Sequence, residues 1–325
     1  QHTPTRRQRQ MCIRDRKNGL PKRMLPLAYF FALAGMIGCL PAFQSNQLIQ
    51  ITGDLAFSEI ENFNILGGLV LAGITGIVVI GGLKRIAEVA TFLVPLMGSI
   101  YFGAMIVALM LNLNLVLPAF KLIFVDAFNG TAIAGGTFFG VLIYGVRRGA
   151  FSNEAGMGTE SLVHGVARVS DPVKQGLVAM TGPIFDTLII CTATALMILV
   201  SGVWETSSSQ GVTLTAEAFS ILLGNFGGLI LFVCVICFGL STIFTYSYYG
   251  ASCSRFLFGK FGMKFYIYLY ILSIFIYSIV PIDIAINIAD GAFAMMAIPT
   301  LISALWLAPK VMQASKIYFK LIDNN

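Results

Sequence analysis

The sequence is poor in charge. Asp, Glu, Lys and Arg make up 11% of its 325 residues, against about 25% in ordinary soluble domains. That excludes a water-soluble globular chain. Histidine is scarcer still. His2 and His164 stand too far apart, and too alone, for a histidine metal centre. A Ser–His pairing, a His-Glu-x-x-His motif and matched carboxylates are all missing, so nothing points to an enzyme and no cofactor is implied. No glycine loop leads into Gly-Lys-Ser/Thr, which removes an ATP-driven pump. The six cysteines lie mostly inside apolar runs. Cys234-Val-Ile-Cys237 has redox or zinc spacing, but it has no second pair and no nearby histidine, so packing is the better reading.

What the chain has is apolar length. Hydrophobic residues make up 57% of it. Eight runs are long enough to span a bilayer: Leu25–Leu48, Ile65–Leu83, Ala87–Leu111, Thr131–Ala150, Gly176–Val203, Gly224–Ala251, Phe265–Val280 and Ile284–Leu307. The composition predicts an all-α polytopic membrane protein. Charge placement agrees. With the N-terminus inside, the outer loops 51–64, 112–130 and 204–219 and the turn at Pro281 hold one basic residue, Lys121. The inner segments hold the rest, including Lys84, Arg85, Arg147, Arg148, Arg168, Lys174, Arg255, Lys260, Lys264, Lys310, Lys316 and Lys320. The positive-inside rule then holds at every loop, with both ends cytoplasmic, as in an inner-membrane protein. The net charge of +6 reads as membrane-surface charge, not as nucleic-acid binding.

Gln1–Arg16 is polar, Arg-rich and without a signal-peptide core; it reads as a disordered tail or a foreign leader, with the transporter domain at 17–325. Leu117–Asn129 reads as an interfacial or cavity-capping helix, with Lys121 and Asp126 on one side, and Thr213–Leu223 is similar, with Glu217 on its wet side. Pro41 and Pro299 each interrupt a span, and each predicts a kink.

Chemistry concentrates in a few polar positions. Gly145–Glu160, GVRRGAFSNEAGMGTE, follows directly on an apolar run and carries two arginines, Asn153, Glu154 and four glycines, Gly145, Gly149, Gly156 and Gly158. Such a stretch cannot face lipid as an ordinary helix; it must be buried in protein, line a wet cavity or leave the membrane. Broken backbone there offers free N–H groups to a carboxylate or free carbonyls to a cation. Arg147 and Arg148 are either boundary anchors, the favoured reading, or site residues. Asp186 and Asp290 lie within spans; each has the chemistry to bind a cation, relay a proton, pair with an arginine or tie helices together. Ser241 and Thr242 are adjacent hydroxyls suited to a small hard cation, but each can instead bond its own helix backbone. Thr245 to Tyr249 behind them predict a wet face.

GVRRGAFSNEAGMGTE resembles the signature of the alanine/glycine:cation symporter family, also called sodium:alanine symporters. The likeness continues through Met180-Thr-Gly-Pro-Ile-Phe-Asp186-Thr187, Ser241-Thr242-Ile243, Ser247-Tyr248-Tyr249-Gly250, Ile288-Ala289-Asp290 and Met296-Ala-Ile-Pro299. The resemblance implies a LeuT-type inverted-repeat fold, in which the eight spans are core helices 3–10 and the signature closes a discontinuous sixth helix. It implies sodium-coupled symport of small neutral amino acids, alanine or glycine, by alternating access. Sodium ligands would be Ser241 and Thr242. The amino acid would meet Gly149, Phe151, Thr242 and Tyr246, with Gln44 and Asn46 on the third core helix. Arg148, Asn153, Glu154, Asp186 and Asp290 would be structural or coupling residues.

The sequence also departs from the family pattern. Tyr246 replaces a usual Trp, Thr245 a Gly, Ala251 a Glu, Phe293 an Asn and Thr300 an Asn. A changed aromatic wall bears on which amino acid is admitted. Nothing before Leu25 resembles the family's glycine-broken first core helix, so the resemblance implies an N-terminally truncated fragment. Two alternatives stay open: proton-coupled transport through Asp186 or Asp290, and a non-transporting relative that acts as a membrane binding or assembly protein.

Overall fold

The computed structural model describes residues 21–57, 59–128, 137–165, 167 and 169–323. The expected leader Gln1–Arg16, Asn129 of the outer segment, residues 131–136 of the fourth run and Arg168 lie outside them. Among the described residues the regular structure is helical, with no strand. Five helical stretches are long and apolar enough to cross a bilayer: Lys22–Ala56, Gly82–Leu111, Pro172–Ser201, Phe226–Ile279 and Ile282–Leu321. Their outward faces carry large apolar side chains. Phe92, Met110, Leu111 and Leu305 are each at least 70% exposed. In water such a surface would aggregate; in lipid it is the solvated one. The protein is an all-helical, multi-pass membrane protein.

The first apolar run is two helices, α1 (Leu25–Gly38) and α2 (Ala42–Ala56). Pro41 separates them, because it has no N–H to continue the ladder. Its carbonyl accepts the Ser45 N–H at 2.9 Å, which restarts the helix. Pro299 behaves differently and lies inside a continuous helix. Helices α3 (Phe63–Val79), α4 (Gly82–Leu111) and α5 (Leu113–Ala127) follow. The amphipathic outer segment is α5; Ala119 is its one buried residue.

Helix α6 (Thr137–Asn153) leads to the short α7 (Glu160–His164). Next comes α8 (Pro172–Ser201), opened by the Asp171 carboxylate, which accepts the Val173 N–H at 2.7 Å. Inside α8, Ile184–Cys191 is wound as a π-helix. Pro183 immediately precedes it and leaves the Ala179 carbonyl without its helical partner, which favours a local rewinding. Helix α9 (Val212–Leu223) precedes two long elements, α10 (Asn225–Ile279) and α11 (Ile282–Asp323).

Helix α10 folds back on itself. At Gly259 the backbone is at φ 70°, ψ −155°, a conformation that L side chains rarely adopt. That break falls between the two apolar runs read at 224–251 and 265–280. The halves then pack antiparallel. The Tyr270 hydroxyl donates to the Ile243 carbonyl at 2.6 Å, and Tyr266 lies so close to Gly250 that a Cβ there would collide with its hydroxyl. The main core gathers α1, α2, α3 and α11 around α10, with Phe31, Ile243, Tyr266, Tyr270 and Met296 fully or almost fully buried. It places the end of α6 between α10, α11 and α8.

Candidate functional site

The site is built on the broken end of α6. The helix stops at Asn153, and the next residues cannot prolong it. Glu154 has φ 55°, Gly156 φ 81° and Gly158 φ 89°. Three left-handed residues in five reverse the chain, and two are glycines because a Cβ is disfavoured there. The Asn153 side chain fixes the turn by accepting the Ala155 N–H at 2.9 Å. A helix end of this kind leaves last-turn carbonyls without intrahelical partners.

Three clusters meet this end. In the first, Arg148 of α6 forms an ion pair with Asp290 of α11. Its guanidinium lies 5.4 Å from the Tyr144 ring centroid and 5.5 Å from that of Phe151. Phe151 makes edge contacts with Phe43 of α2 and Phe293 of α11, each at 5.3 Å. The boundary-anchor reading fails for Arg148, which turns inward to a carboxylate, whereas Arg147 is exposed, as an anchor would be. Asp290 pairs with arginine, one of the roles left open for it.

In the second, the Tyr246 hydroxyl donates to the Glu154 carboxylate. Tyr246 is buried, and its ring lies 5.6 Å from that of Tyr249. In the third, Asp186 Oδ2 accepts the Ser152 hydroxyl at 2.6 Å and the Thr187 hydroxyl at 3.2 Å. The Asn153 amide donates to Thr187 Oγ1 at 3.0 Å.

The Ser241 and Thr245 hydroxyls of α10 are satisfied locally, and Thr242 is half-buried. Ser241 is buried and donates to the Phe238 carbonyl at 2.9 Å, and Thr245 donates to the Ser241 carbonyl at 2.8 Å. A hydroxyl whose proton is committed in this way still has lone pairs for a cation. The wet face expected at Thr245–Tyr249 is not exposed: Tyr246, Ser247 and Tyr249 are buried, and Thr245 and Tyr248 half-buried. Thr245 and Ser247 donate to backbone carbonyls of their own helix, and Tyr246 donates to Glu154.

The other expected residues divide. A Cβ on Gly149 would meet nothing within 4 Å, so that position borders open space. Gln44 is half-buried, next to Phe43. Asn46 is engaged elsewhere, donating to the Tyr277 and Val280 carbonyls at 3.3 and 2.7 Å at the end of α10. Glu217 of α9 accepts the Ser209 hydroxyl at 2.5 Å. Ser152, Thr187, Phe43 and the contact role of Phe293 were not singled out from the sequence. The position of Ser152 beside Phe151 was the available signal.

Residues 16–325 match the sequence model of the sodium:alanine symporter family. The chain belongs to that family. It is 34% identical over 314 residues to the sodium/alanine symporter AgcS of Methanococcus maripaludis, a match covering 95% of this chain and 69% of that protein. It is 36% identical over 300 residues to the uncharacterized transporter YflA of Bacillus subtilis, covering 89% of this chain and 62% of that protein. It is 32% identical over 305 residues to the probable sodium/glutamine symporter GlnT of the same bacterium, covering 93% and 63%. The chain thus spans about two thirds of the length of these relatives. As a member of the sodium:alanine symporter family it belongs among carriers, not enzymes. Three of the positions at which the resemblance implies a departure lie at the broken segment or beside it. Tyr246 meets Glu154, Phe293 meets Phe151, and the Thr300 hydroxyl donates to the Met157 carbonyl at 3.1 Å.

Proposed function

We propose that the chain serves sodium-coupled symport of a small neutral amino acid, alanine or glycine, across the cytoplasmic membrane by alternating access. The observation that carries the reading is the broken end of α6, where an aromatic wall and a half-buried ion pair meet left-handed backbone inside an apolar bundle. Kinship with proteins named as sodium/alanine and sodium/glutamine symporters supports the same class.

In this reading the fold is LeuT-type and the eight apolar runs are core helices 3–10, with both ends of the chain cytoplasmic. Sodium binds the hydroxyl oxygens of Ser241 and Thr242. The amino acid lies against Phe151 and Tyr246, over the gap left by Gly149, within reach of Thr242. Gln44 borders the pocket from α2, and Asn46 acts at one remove by holding the end of α10. An amino-acid substrate carries both charges. Its ammonium suits the free carbonyls at the end of a helix, and its carboxylate suits free N–H groups where helix resumes. Symport needs sodium and amino acid to bind better together than apart. Arg148, Asn153, Glu154, Asp186 and Asp290 tie the broken segment to α8, α10 and α11, so a change at the ion site reaches the pocket wall.

The test is uptake of labelled alanine into liposomes containing this chain, with sodium or choline outside. Sodium-dependent accumulation supports the reading and would set aside the expectation that this chain is a truncated fragment. Uptake that is indifferent to sodium but driven by a proton gradient, or no uptake at all, would overturn the reading.

A further inference from the structure

Helix α11 is longer than a bilayer needs. Its 42 residues extend about 63 Å, against about 30 Å of hydrocarbon. Tilting does not absorb the surplus, since even at about 40° the helix covers about 48 Å of depth. Residue chemistry marks where the bilayer ends. No charged residue stands between Asp290 and Lys310, and Trp306, an exposed indole just before that lysine, suits the interfacial belt. Residues 309–323 therefore continue as helix beyond the hydrocarbon.

This extension is two-sided. Gln313, Lys316 and Lys320 follow one another at spacings of three and four and share one side. Val311, Ala314, Tyr318 and Leu321 follow at three, four and three, and lie about 150° further round the helix. Val311 and Leu321 are 63% and 59% exposed. In water that apolar side would be a liability. Lysines on one side with apolar and aromatic residues on the other is the pattern of a helix lying in the membrane interface. Charge selects the lipid. Residues 309–323 hold three lysines against one aspartate, which draws them to anionic headgroups, whereas a second copy would bring the same lysines into repulsion. Pro309 supplies the bend. It has no N–H for the Leu305 carbonyl, and a helix kinks most readily at such a position.

We propose that residues 310–323 of α11, bent at Pro309, dock on an anionic phospholipid surface, with Val311, Ala314, Tyr318 and Leu321 in the acyl boundary and Lys316 and Lys320 on the headgroups. This docking needs only that the helices cross a bilayer, and it is independent of the solute carried. Because α11 also bears Asp290 and Phe293, an anchored end steadies the helix against which α6 breaks.

Tryptophan depth measurements on the full chain, one chain per lipid nanodisc, test this. The two native tryptophans, Trp204 and Trp306, are replaced by Phe. An indole is then introduced by Tyr318→Trp on the apolar side or by Gln313→Trp on the lysine side. Tyr318 is 12 residues past Trp306, about 18 Å along a straight helix, so only a docked segment brings it to the lipid. In discs containing phosphatidylglycerol, Tyr318→Trp emission should be blue-shifted and quenched by lipids brominated high on their acyl chains, and Gln313→Trp emission should not be. Discs of phosphatidylcholine alone, or the exposed double change Lys316→Glu with Lys320→Glu, should abolish both effects. Unquenched, water-like emission from Tyr318→Trp in the anionic discs would overturn the proposal. So would quenching that ignores lipid charge and the two lysines. A blue shift without quenching, seen only when two chains share a larger disc, would assign the face to a second copy instead.

Discussion

Arg148 of α6 and Asp290 of α11, 142 residues apart, form an ion pair beside the Phe151 ring. The pair is mostly shielded: its side chains keep 29% and 24% of their exposure. The Arg148 Nε is buried with no hydrogen-bond partner among the described residues, so there the guanidinium depends on one carboxylate for its compensation. Removing that carboxylate leaves a charge in a low-dielectric setting. Asp290→Asn should therefore destabilise the protein by about 3 kcal/mol, at the low end of the range for broken buried pairs because this one is partly exposed. The double variant Arg148→Met with Asp290→Leu should recover much of that loss, since no charge is left unpaired. Thermal unfolding in detergent measures both. Equal stability of Asp290→Asn and the unmodified chain would mean that the pair holds nothing together.

Tyr246 and Glu154 make a second link across the break, between α10 and the turn after α6. Tyr246→Phe keeps the ring and deletes the donor, leaving a carboxylate oxygen unsatisfied. A loss of about 1–3 kcal/mol is expected. Tyr246→Trp restores the residue usual in the family and enlarges the wall. If the ring borders the substrate, the uptake ratio of glycine to larger amino acids should rise about tenfold, the scale on which a pocket senses a methylene-sized change. Competition uptake assays read this ratio, and an unchanged ratio would take Tyr246 out of the pocket.

Much of this arrangement was legible in the sequence, and its limits have physical causes. Composition and glycine content marked Gly145–Glu160 as broken backbone, and the positive φ values at Glu154, Gly156 and Gly158 bear that out. Apolar runs located the helices, because run length is a local property. Their interruptions were less legible. A proline announces that a hydrogen bond is lost, but neighbours decide the response: a full stop at Pro41, continuation through Pro299, a π-helix after Pro183. Arg148 was read beside Arg147 as a boundary charge, because the positive-inside rule counts charges without asking which way they point. Its partner lies on another helix, and no local pattern reveals that pairing. The polar run Thr245–Tyr249 misled for a similar reason, since hydroxyls such as those of Thr245 and Ser247, satisfied by their own helix, look in sequence like a wet face.

The segment between α6 and α8 has its own pH dependence. His164 of α7 is bonded to Gln175 at 2.6 Å, and burial lowers its pKa from the usual value. The unfolded chain therefore takes up this proton first. Stability from this group is full above about pH 6.5, the unfolded value, and falls as the pH drops through the lowered folded value. Glu160, in the same short helix, is shifted upward by burial. Its sign is opposite: its contribution is present at low pH and lost as the pH rises through its folded value. His164→Gln isolates the first effect. Compared with that variant, the unmodified chain should lose melting temperature as the pH falls from about 7 to about 5. A constant difference across that range would show that His164 does not titrate between the folded and unfolded states.

Gly149 and Gly156 lie on either side of the break and should respond oppositely to the same added methyl. Gly149 is helical, with nothing within 4 Å of a Cβ placed there. Gly149→Ala should leave stability unchanged or raise it by about 0.5–1 kcal/mol, since alanine loses less backbone entropy in a helix. If this opening admits the substrate, the same methyl should raise the KM for alanine while the fold is intact. Gly156 has φ 81°, where a Cβ is strained whatever the space around it. Gly156→Ala should cost about 1–2 kcal/mol, and Gly156→Asn less, because asparagine tolerates the left-handed region better. Melting temperatures and uptake kinetics measured on the three variants separate the roles. A KM that moves with melting temperature in all three would mean that Gly149 is only a helix residue. A KM shift in Gly149→Ala with undiminished stability places the open face of α6 at the substrate.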